Sequence, residues 1–208
     1  MDPEALKHAL QARHIGAVDG RAPCAVLVPL VKENGEWCLL YEKRAAGLKL
    51  QPGEVCFPGG HIEYGEPTLS CALRETREEL GIKSEYIDVL GSMDYIIHYI
   101  GFPVYPFAAV LKDGWKEQLN INRDEVERVF TIPLSYLRAH PADQIRTAKR
   151  HLTLDSSVPA QYRDYIEGPA RPDRLPLLFW PYEDIVLWGM TARLTQWLLD
   201  FMEGMHEV

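Results

Sequence analysis

The chain has 208 residues, and its 22 basic and 30 acidic side chains leave a net charge of −8. That acidity disfavours a general grip on nucleic acid backbone, and no apolar run reaches the roughly 20 residues of a membrane span. The length suits one domain with extensions and a sizeable core. The start, Met1-Asp2-Pro3-Glu4-Ala5, lacks a basic stretch followed by an apolar one, so no secretory signal is expected. Cys24, Cys38, Cys56 and Cys71 have no C-x-x-C spacing. Reduced thiols in a cytoplasm are therefore expected, rather than zinc or a disulfide framework. The histidines are scattered, with no H-E-x-x-H.

Residues 3–14 space Leu6, Ala9, Leu10 and Ala12 among polar residues and predict a short amphipathic helix. Ala22 to Val31 predict a strand of buried type, Glu33-Asn34-Gly35-Glu36 its turn, and Trp37 to Tyr41 the returning strand. Leu40 to Gly60 read as a strand end, a cationic loop and a Gly/Pro-rich approach to a helix. Gly59 and Gly60 lack side chains, so backbone there can approach a phosphate or a metal closely. Arg44 and Lys49 are either ordinary surface cations or phosphate ligands, Arg as a fork and Lys as a point charge.

Residues 67–80 predict a helix of about 21 Å. Pro67 suits its first position, Glu66 meets its positive end, and Gly81 suits a left-handed C-terminal residue. Leu69, Ala72, Leu73, Thr76 and Leu80 recur at helical spacing and form its buried stripe. Glu75, Glu78 and Glu79 fall together on another side, with Arg74 and Arg77 toward a third. Carboxylates clustered this way repel by about 0.2–0.5 kcal/mol per pair. Their place near the negative helix end adds about 0.3–1 kcal/mol each. A hard divalent cation such as Mg²⁺ or Mn²⁺ reverses the sign of these terms. The bland alternative is a solvated face with Arg74 and Glu78 as an i,i+4 pair.

Beyond the helix, Tyr86–Leu90, Met93–His98 and Gly101–Leu111 predict strands, the last broken by prolines. Tyr95, Tyr99, Phe102 and Tyr105 line a cleft or fill the core. Asn120–Glu127 is a polar loop leading into a strand over Val126–Ile132, and Pro133–Leu137 opens a short helix. Residues 147–154 alternate weakly and suit an edge hairpin with the region near Leu177–Trp180, across a Pro- and Gly-rich loop, Pro159–Arg174. Ile185–Met202 reads as one strongly apolar helix that should cover the sheet.

The register Gly60, Glu66, Arg74-Glu75, Glu78-Glu79, Gly81-Ile82 resembles the Nudix box, with Thr76 where that signature prefers an aliphatic residue. The resemblance implies an α/β fold, a Nudix-type α/β/α sandwich with a mixed central sheet and a loop–helix–loop catalytic motif. It spans residues 22–208 as a Nudix domain, preceded by a helical extension over 1–21. It implies hydrolysis of a diphosphate linkage with Mg²⁺ or Mn²⁺ held by Glu75, Glu78, Glu79 and the Gly60 carbonyl. Glu75 is a ligand or the base, Arg74 orients the carboxylates and Glu66 supports the site. Glu125 supplies an acid from outside the box, although a solvated loop acid is the plain alternative.

Residues 40–60 further resemble the motif upstream of the box in coenzyme A pyrophosphatases, through Arg44-Ala45, Gly53 and Phe57-Pro58-Gly59-Gly60, with Trp188–Ala192 as a weaker match. Glu42 and Lys49 depart from that motif, which carries Thr and Arg there. This resemblance implies coenzyme A or an acyl derivative as substrate, split into 3′-phospho-AMP and a 4′-phosphopantetheine product, with contacts from Arg44, Lys49, Phe57, Gly59 and His61. ADP-ribose or another nucleoside diphosphate derivative is the alternative substrate, and a ligand sensor without turnover the alternative class. A homodimer is the expectation from the wider family, with neither nucleic acid nor membrane as partner.

Overall fold

The computed structural model describes residues 2–12, 22–98, 101–145 and 177–205. The chain divides into two units, Met1–Tyr136 and Leu137–Val208. Tyr99, the 147–154 strand and the 159–174 loop lie outside the described residues.

The first unit opens with helix α1 (Pro3–Ala12). Strands β1 (Cys24–Glu33) and β2 (Glu36–Arg44) then form the expected hairpin, Glu33 facing Glu36. Asn34 and Gly35 carry positive φ values of 50° and 85°, the pair of conformations a tight hairpin turn demands. β1 runs parallel to β7 (Pro103–Leu111), Cys24 facing Val104. Both strands are apolar along most of their length, as buried parallel strands are. On the far edge of β7 lies antiparallel β5 (Ile87–Ser92). Two-residue β3 (Val55–Cys56) and β6 (Ile96–Ile97) pair with β2 and β7. Three-residue β4 (Gly59–His61) pairs with the start of β1. After the short α3 (Trp115–Gln118), β8 (Val126–Pro133) joins β2 along Cys38–Arg44. The result is a mixed sheet of both parallel and antiparallel pairs.

Helix α2 (Thr68–Leu80) lies on this sheet against β1, β4 and β7. Ala72, Leu80 and Cys71 close a core with Leu27, Leu40, Ala109 and Val126. Thr76, the departure from the motif, is wholly buried, and its hydroxyl donates to the Ala72 carbonyl at 2.7 Å. Its one polar atom is thus satisfied within the helix and its methyl packs. Pro67 stands one position before the helix, in extended conformation, rather than inside it. Gly81 ends it at φ 76°, as expected.

The second unit begins within α4 (Leu134–Ala139). β9 (Asp143–Ile145), β10 (Leu177–Tyr182) and β11 (Ile185–Trp188) form an antiparallel sheet in the order β11-β10-β9. Helix α5 (Gly189–Gly204) packs on β10 and β11. The single helix expected from Ile185 is therefore a strand and a helix. Ile185 and Leu187 are buried while Val186 and Trp188 are exposed, an alternation of period two. Gly189, at φ 63°, makes the change of direction. The strand expected over Met93–His98 shrinks to Ile96–Ile97. No described helix is long and apolar enough to cross a membrane.

Candidate active site

The sheet and α2 bring three segments together: the end of β2, the β4 turn and the last two turns of α2. The β4 turn is held by backbone. Leu27 N–H donates to Pro58 O at 2.9 Å and Ile62 N–H to Pro23 O at 2.9 Å. A Cβ on Gly59 would stand 2.3 Å from the Ala25 carbonyl oxygen. A Cβ on Gly60 would stand 2.5 Å from the Glu75 carboxylate. Both are shorter than real Cβ contacts: at Gly59 the obstruction is backbone, and at Gly60 it is the end of the Glu75 side chain.

Arg74 organises the acids. Its Nε and Nη2 grip both oxygens of Glu66 at 2.8 and 2.9 Å, a fork on a carboxylate. Its Nη1 donates to Glu75 at 2.8 Å and to Glu78 at 3.0 Å, and Nη2 also reaches the His61 carbonyl at 3.2 Å. Glu66 accepts the Glu63 N–H as well, at 3.0 Å. These contacts, Arg74 first, hold the Glu66 carboxyl down to about 2. The i,i+4 pair of Arg74 with Glu78 is real, yet it is one part of a three-carboxylate arrangement around Arg74 rather than a simple surface contact.

The three acids of this side are buried to different depths. Glu78 is exposed, Glu75 half-buried, and Glu79 buried at 3% exposure. Glu79 turns inward and accepts the Gly59 N–H at 2.9 Å. Burial, then the charges of Glu42 and Glu75, push its carboxyl far above the usual carboxylate range. Burial also raises Glu75, against the pull of Arg74 and with the push of Glu78 and Glu125.

The loop before β8 docks on the end of α2. Asn120 and Asn122 N–H groups donate to Leu80 O at 2.9 Å and Glu79 O at 2.8 Å, satisfying carbonyls the helix leaves open. That places Glu125, exposed at the loop's end, where its charge acts on both Glu75 and Glu42. The strand pairing of Arg44 with Val126 fixes the same neighbourhood from the other side.

The proposed substrate residues divide. Arg44 turns into the site, half-buried, with an Nε that has no hydrogen-bond partner, and its charge lowers Glu42 and Glu79. Lys49 stands exposed on the cationic loop. His61 is exposed, with Nδ1 3.2 Å from the Cys24 sulfur and its ring tilted toward Phe102 at 6.1 Å. Phe57 offers no surface to a ligand: its ring is 3% exposed and stacks on Tyr41 at 4.8 Å. Its contribution is to pin the loop that precedes Gly59. Tyr95 meets the Tyr105 ring at 5.7 Å in a tilted arrangement, with 61% of its own surface exposed, so it is not core.

One acid was not read as a site residue. Glu42, on β2, is 0% exposed, accepts only the Cys56 thiol at 3.3 Å, and leaves Oε2 without a partner. A strand end at Tyr41 hides this from the sequence, because β3 and β8 bury Glu42 from both edges. The available signal is chemical: an acid directly following Leu39-Leu40-Tyr41 in an apolar strand.

The donor set suits a hard divalent ion. It consists of carboxylate oxygens around a turn whose Gly60 carbonyl also accepts the weak Cys71 thiol, at 3.6 Å. Among the described residues no three His, Cys, Asp or Glu side chains converge as a closed cage. The acids are instead turned apart, onto Arg74, Gly59 and Cys56. The orphaned Glu42 oxygen and the charge-opposed Glu79 are what a cation would satisfy.

Gly60→Ala tests the seat of Glu75. The obstructed atoms are the far end of a flexible side chain, so the fold yields easily and the carboxylate moves. Turnover is expected to fall on the order of 100-fold, as for misplacement by about 1 Å, with a melting temperature near that of the native chain. Unchanged turnover would remove Glu75 from the reaction.

A NUDIX domain family model matches residues 21–154. Nudix hydrolase 3 of Caenorhabditis elegans is 39% identical over 160 residues, which cover 76% of this chain and 67% of that protein. The uncharacterized Nudix hydrolase NudL of Cronobacter sakazakii is 33% identical over 173 residues, covering 81% and 76%. Among solved structures, the NUDIX domain of Shewanella oneidensis NrtR complexed with ADP ribose aligns with a TM-score of 0.49 at 18% identity, covering 68% of this chain and 89% of that one. A C. elegans Ap4A hydrolase binary complex aligns at 0.47 and 23%, covering 54% and 80%.

Proposed function

The chain belongs to the Nudix hydrolase family, and on that premise we propose that it hydrolyses the diphosphate linkage of coenzyme A or an acyl-coenzyme A. The products are 3′-phospho-AMP and a 4′-phosphopantetheine derivative. The observation that carries the hydrolase reading is the set of carboxylates around Gly59 and Gly60, Glu66, Glu75 and Glu78 gathered by the Arg74 guanidinium and Glu79 held by the Gly59 amide.

Glu75, Glu78, Glu79 and the Gly60 carbonyl are the atoms offered to Mg²⁺ or Mn²⁺. When bound, such an ion neutralises the diphosphate and acidifies water. The chain's own residues do the rest. Arg74 holds Glu75 and Glu78 in register and ties them to Glu66, so the acids are positioned before substrate arrives. Arg44, with an open Nε beside the acids, is the phosphate ligand. Glu75 and Glu125 are the candidates for the base, since both face the cluster and neither is fully enclosed.

The coenzyme A assignment rests on residues 40–60. Their loop closes on Arg44, whose N–H donates to Glu54 O at 2.9 Å and whose carbonyl accepts the Gly53 N–H at 3.2 Å. The motif residues Arg44, Gly53 and Phe57 therefore belong to one local structure next to the acids. Lys49, exposed on that loop, is available to the 3′-phosphate that distinguishes coenzyme A from ADP-ribose. The domain is taken as residues 22–208, and free thiols at Cys24, Cys38, Cys56 and Cys71 support a cytoplasmic setting. A homodimer is carried over from the wider family.

The test is a Mg²⁺- and Mn²⁺-dependent panel of coenzyme A, acetyl-coenzyme A, ADP-ribose, NADH and diadenosine polyphosphates, read by mass spectrometry. Release of 3′-phospho-AMP is the expected result. Turnover of ADP-ribose without coenzyme A would move the substrate and keep the chemistry. Binding of nucleotide without any turnover would make the domain a sensor.

A further inference from the structure

Glu42 is a buried acid in a place that neither packing nor pairing explains. Its side chain is 0% exposed, and its Oε2 has no hydrogen-bond partner. An unpaired carboxylate oxygen in a protein interior is costly unless something else satisfies it. The neighbours on the same strand and on β3 do not. Arg44, two residues further along β2, lowers the carboxyl through its charge, yet its own Nε is also buried without a partner. Cys56, across the β2–β3 pairing, engages only Oε1, and weakly. The remaining charges near Glu42 are Glu125 and Glu75, and Glu79 feels Glu42 more strongly than any other charge.

Two atoms of complementary character thus stand open beside the acidic end of α2: a carboxyl oxygen that a cation would satisfy, and a guanidinium N–H that an anion would satisfy. A divalent ion with a phosphate beside it fits both.

We propose that Glu42 is a ligand-side carboxylate of the divalent-cation site, its Oε2 facing the ion together with Glu79 while the Cys56 thiol steadies Oε1. The proposal rests on the metal-dependent reading given above and extends it to a residue outside the box. β2 then contributes both charges, Glu42 to the cation and, just past the register shift between Lys43 and Arg44, Arg44 to the phosphate. At Glu42 the strand is held on both edges, by Cys56 and Val129, which positions the carboxylate more tightly than a loop does.

The experiment is Mn²⁺ binding to the full chain without nucleotide, read by the EPR signal of free Mn²⁺ and by calorimetry. The proteins are the native chain, Glu42→Gln, Glu42→Met and Glu79→Gln, with melting in EDTA as a check on folding. Gln keeps the shape, and Met keeps the volume without a hard ligand atom, so one of them reports even where the other fails to fold. Both Glu42 variants are expected to weaken Mn²⁺ binding at least about 10-fold, with melting in EDTA unchanged or raised. Native Mn²⁺ affinity in a folded Glu42 variant, with affinity lost in Glu79→Gln, would overturn the role of Glu42 alone. Native affinity in Glu79→Gln, or no binding to the native chain, would overturn the metal-dependent reading and this extension with it.

Discussion

Glu79→Gln is expected to lower turnover on the order of 10²–10³-fold while raising the melting temperature of the metal-free protein. Glu79 is the box acid carried deepest, at 3% exposure, with the Gly59 N–H as its hydrogen-bond donor. Its charge is opposed by burial and by Glu42 and Glu75. Gln preserves the shape and an oxygen for Gly59, and it removes the opposed charge. The gain is expected at about 1 kcal/mol, or about 2–4 °C for a chain of this size. The loss of turnover follows because a preorganised charged group at the reacting centre is worth that much. Kinetics on the best panel substrate and calorimetric melting in EDTA check the two halves. A lower melting temperature would mean that the acid has a structural role, and native turnover would take it out of the site.

The second large effect is on pH and metal together. Glu79 and Glu42 both have carboxyls raised above their unfolded values by burial. The sign is then the reverse of the ordinary salt-bridged acid. Their protonated forms favour the folded state, so that stabilisation is complete below about pH 4.3 and is lost as pH rises through the folded values. For Glu79 the folded value reaches about 9. The metal-free chain is expected to melt several degrees lower at pH 8.5 than at pH 6, and millimolar Mg²⁺ or Mn²⁺ to restore most of the difference at pH 8.5. Glu66 opposes this trend only at low pH, since its carboxyl is held down to about 2 by Arg74. Identical melting in EDTA and in Mn²⁺ across that range would show that the acids meet no cation.

Much of the site was legible because helices and tight turns announce themselves locally. Gly81 stops α2 where a left-handed residue was expected, and Asn34-Gly35 turn the hairpin as their conformational freedom allows. The fixed register from Gly60 to Gly81 carried the acids and Arg74 with it. What escaped depends on pairing between distant segments. Spacing alone grouped Glu79 with Glu78, but the Gly59 amide, twenty residues earlier, draws it inward. Glu42 is inside because β3 and β8 flank it, and neither contact is readable from Leu39-Leu40-Tyr41-Glu42. β11 was merged into the following helix because a short apolar run of Ile, Val, Leu and Trp fits either period. Its alternating exposure appears only once β10 is its partner.

The parallel pairing of β1 with β7 sets an order on how the chain is made. Cys24 waits for Val104, and the whole of β2, the cationic loop and α2 is synthesised between them. Closing a span of that length is entropically slow compared with forming the β1–β2 hairpin or α2. On a ribosome, the apolar edge of β1 stays unsheltered until the residues to Leu111 have emerged. β8, which completes the far edge of β2 and brings Glu125 beside the other acids, emerges later still. A nascent chain therefore shelters its apolar strands before its mutually repelling carboxylates are brought to full density. A chain cut short ahead of Val126 would lack β8 and leave the outer edge of β2 unpaired.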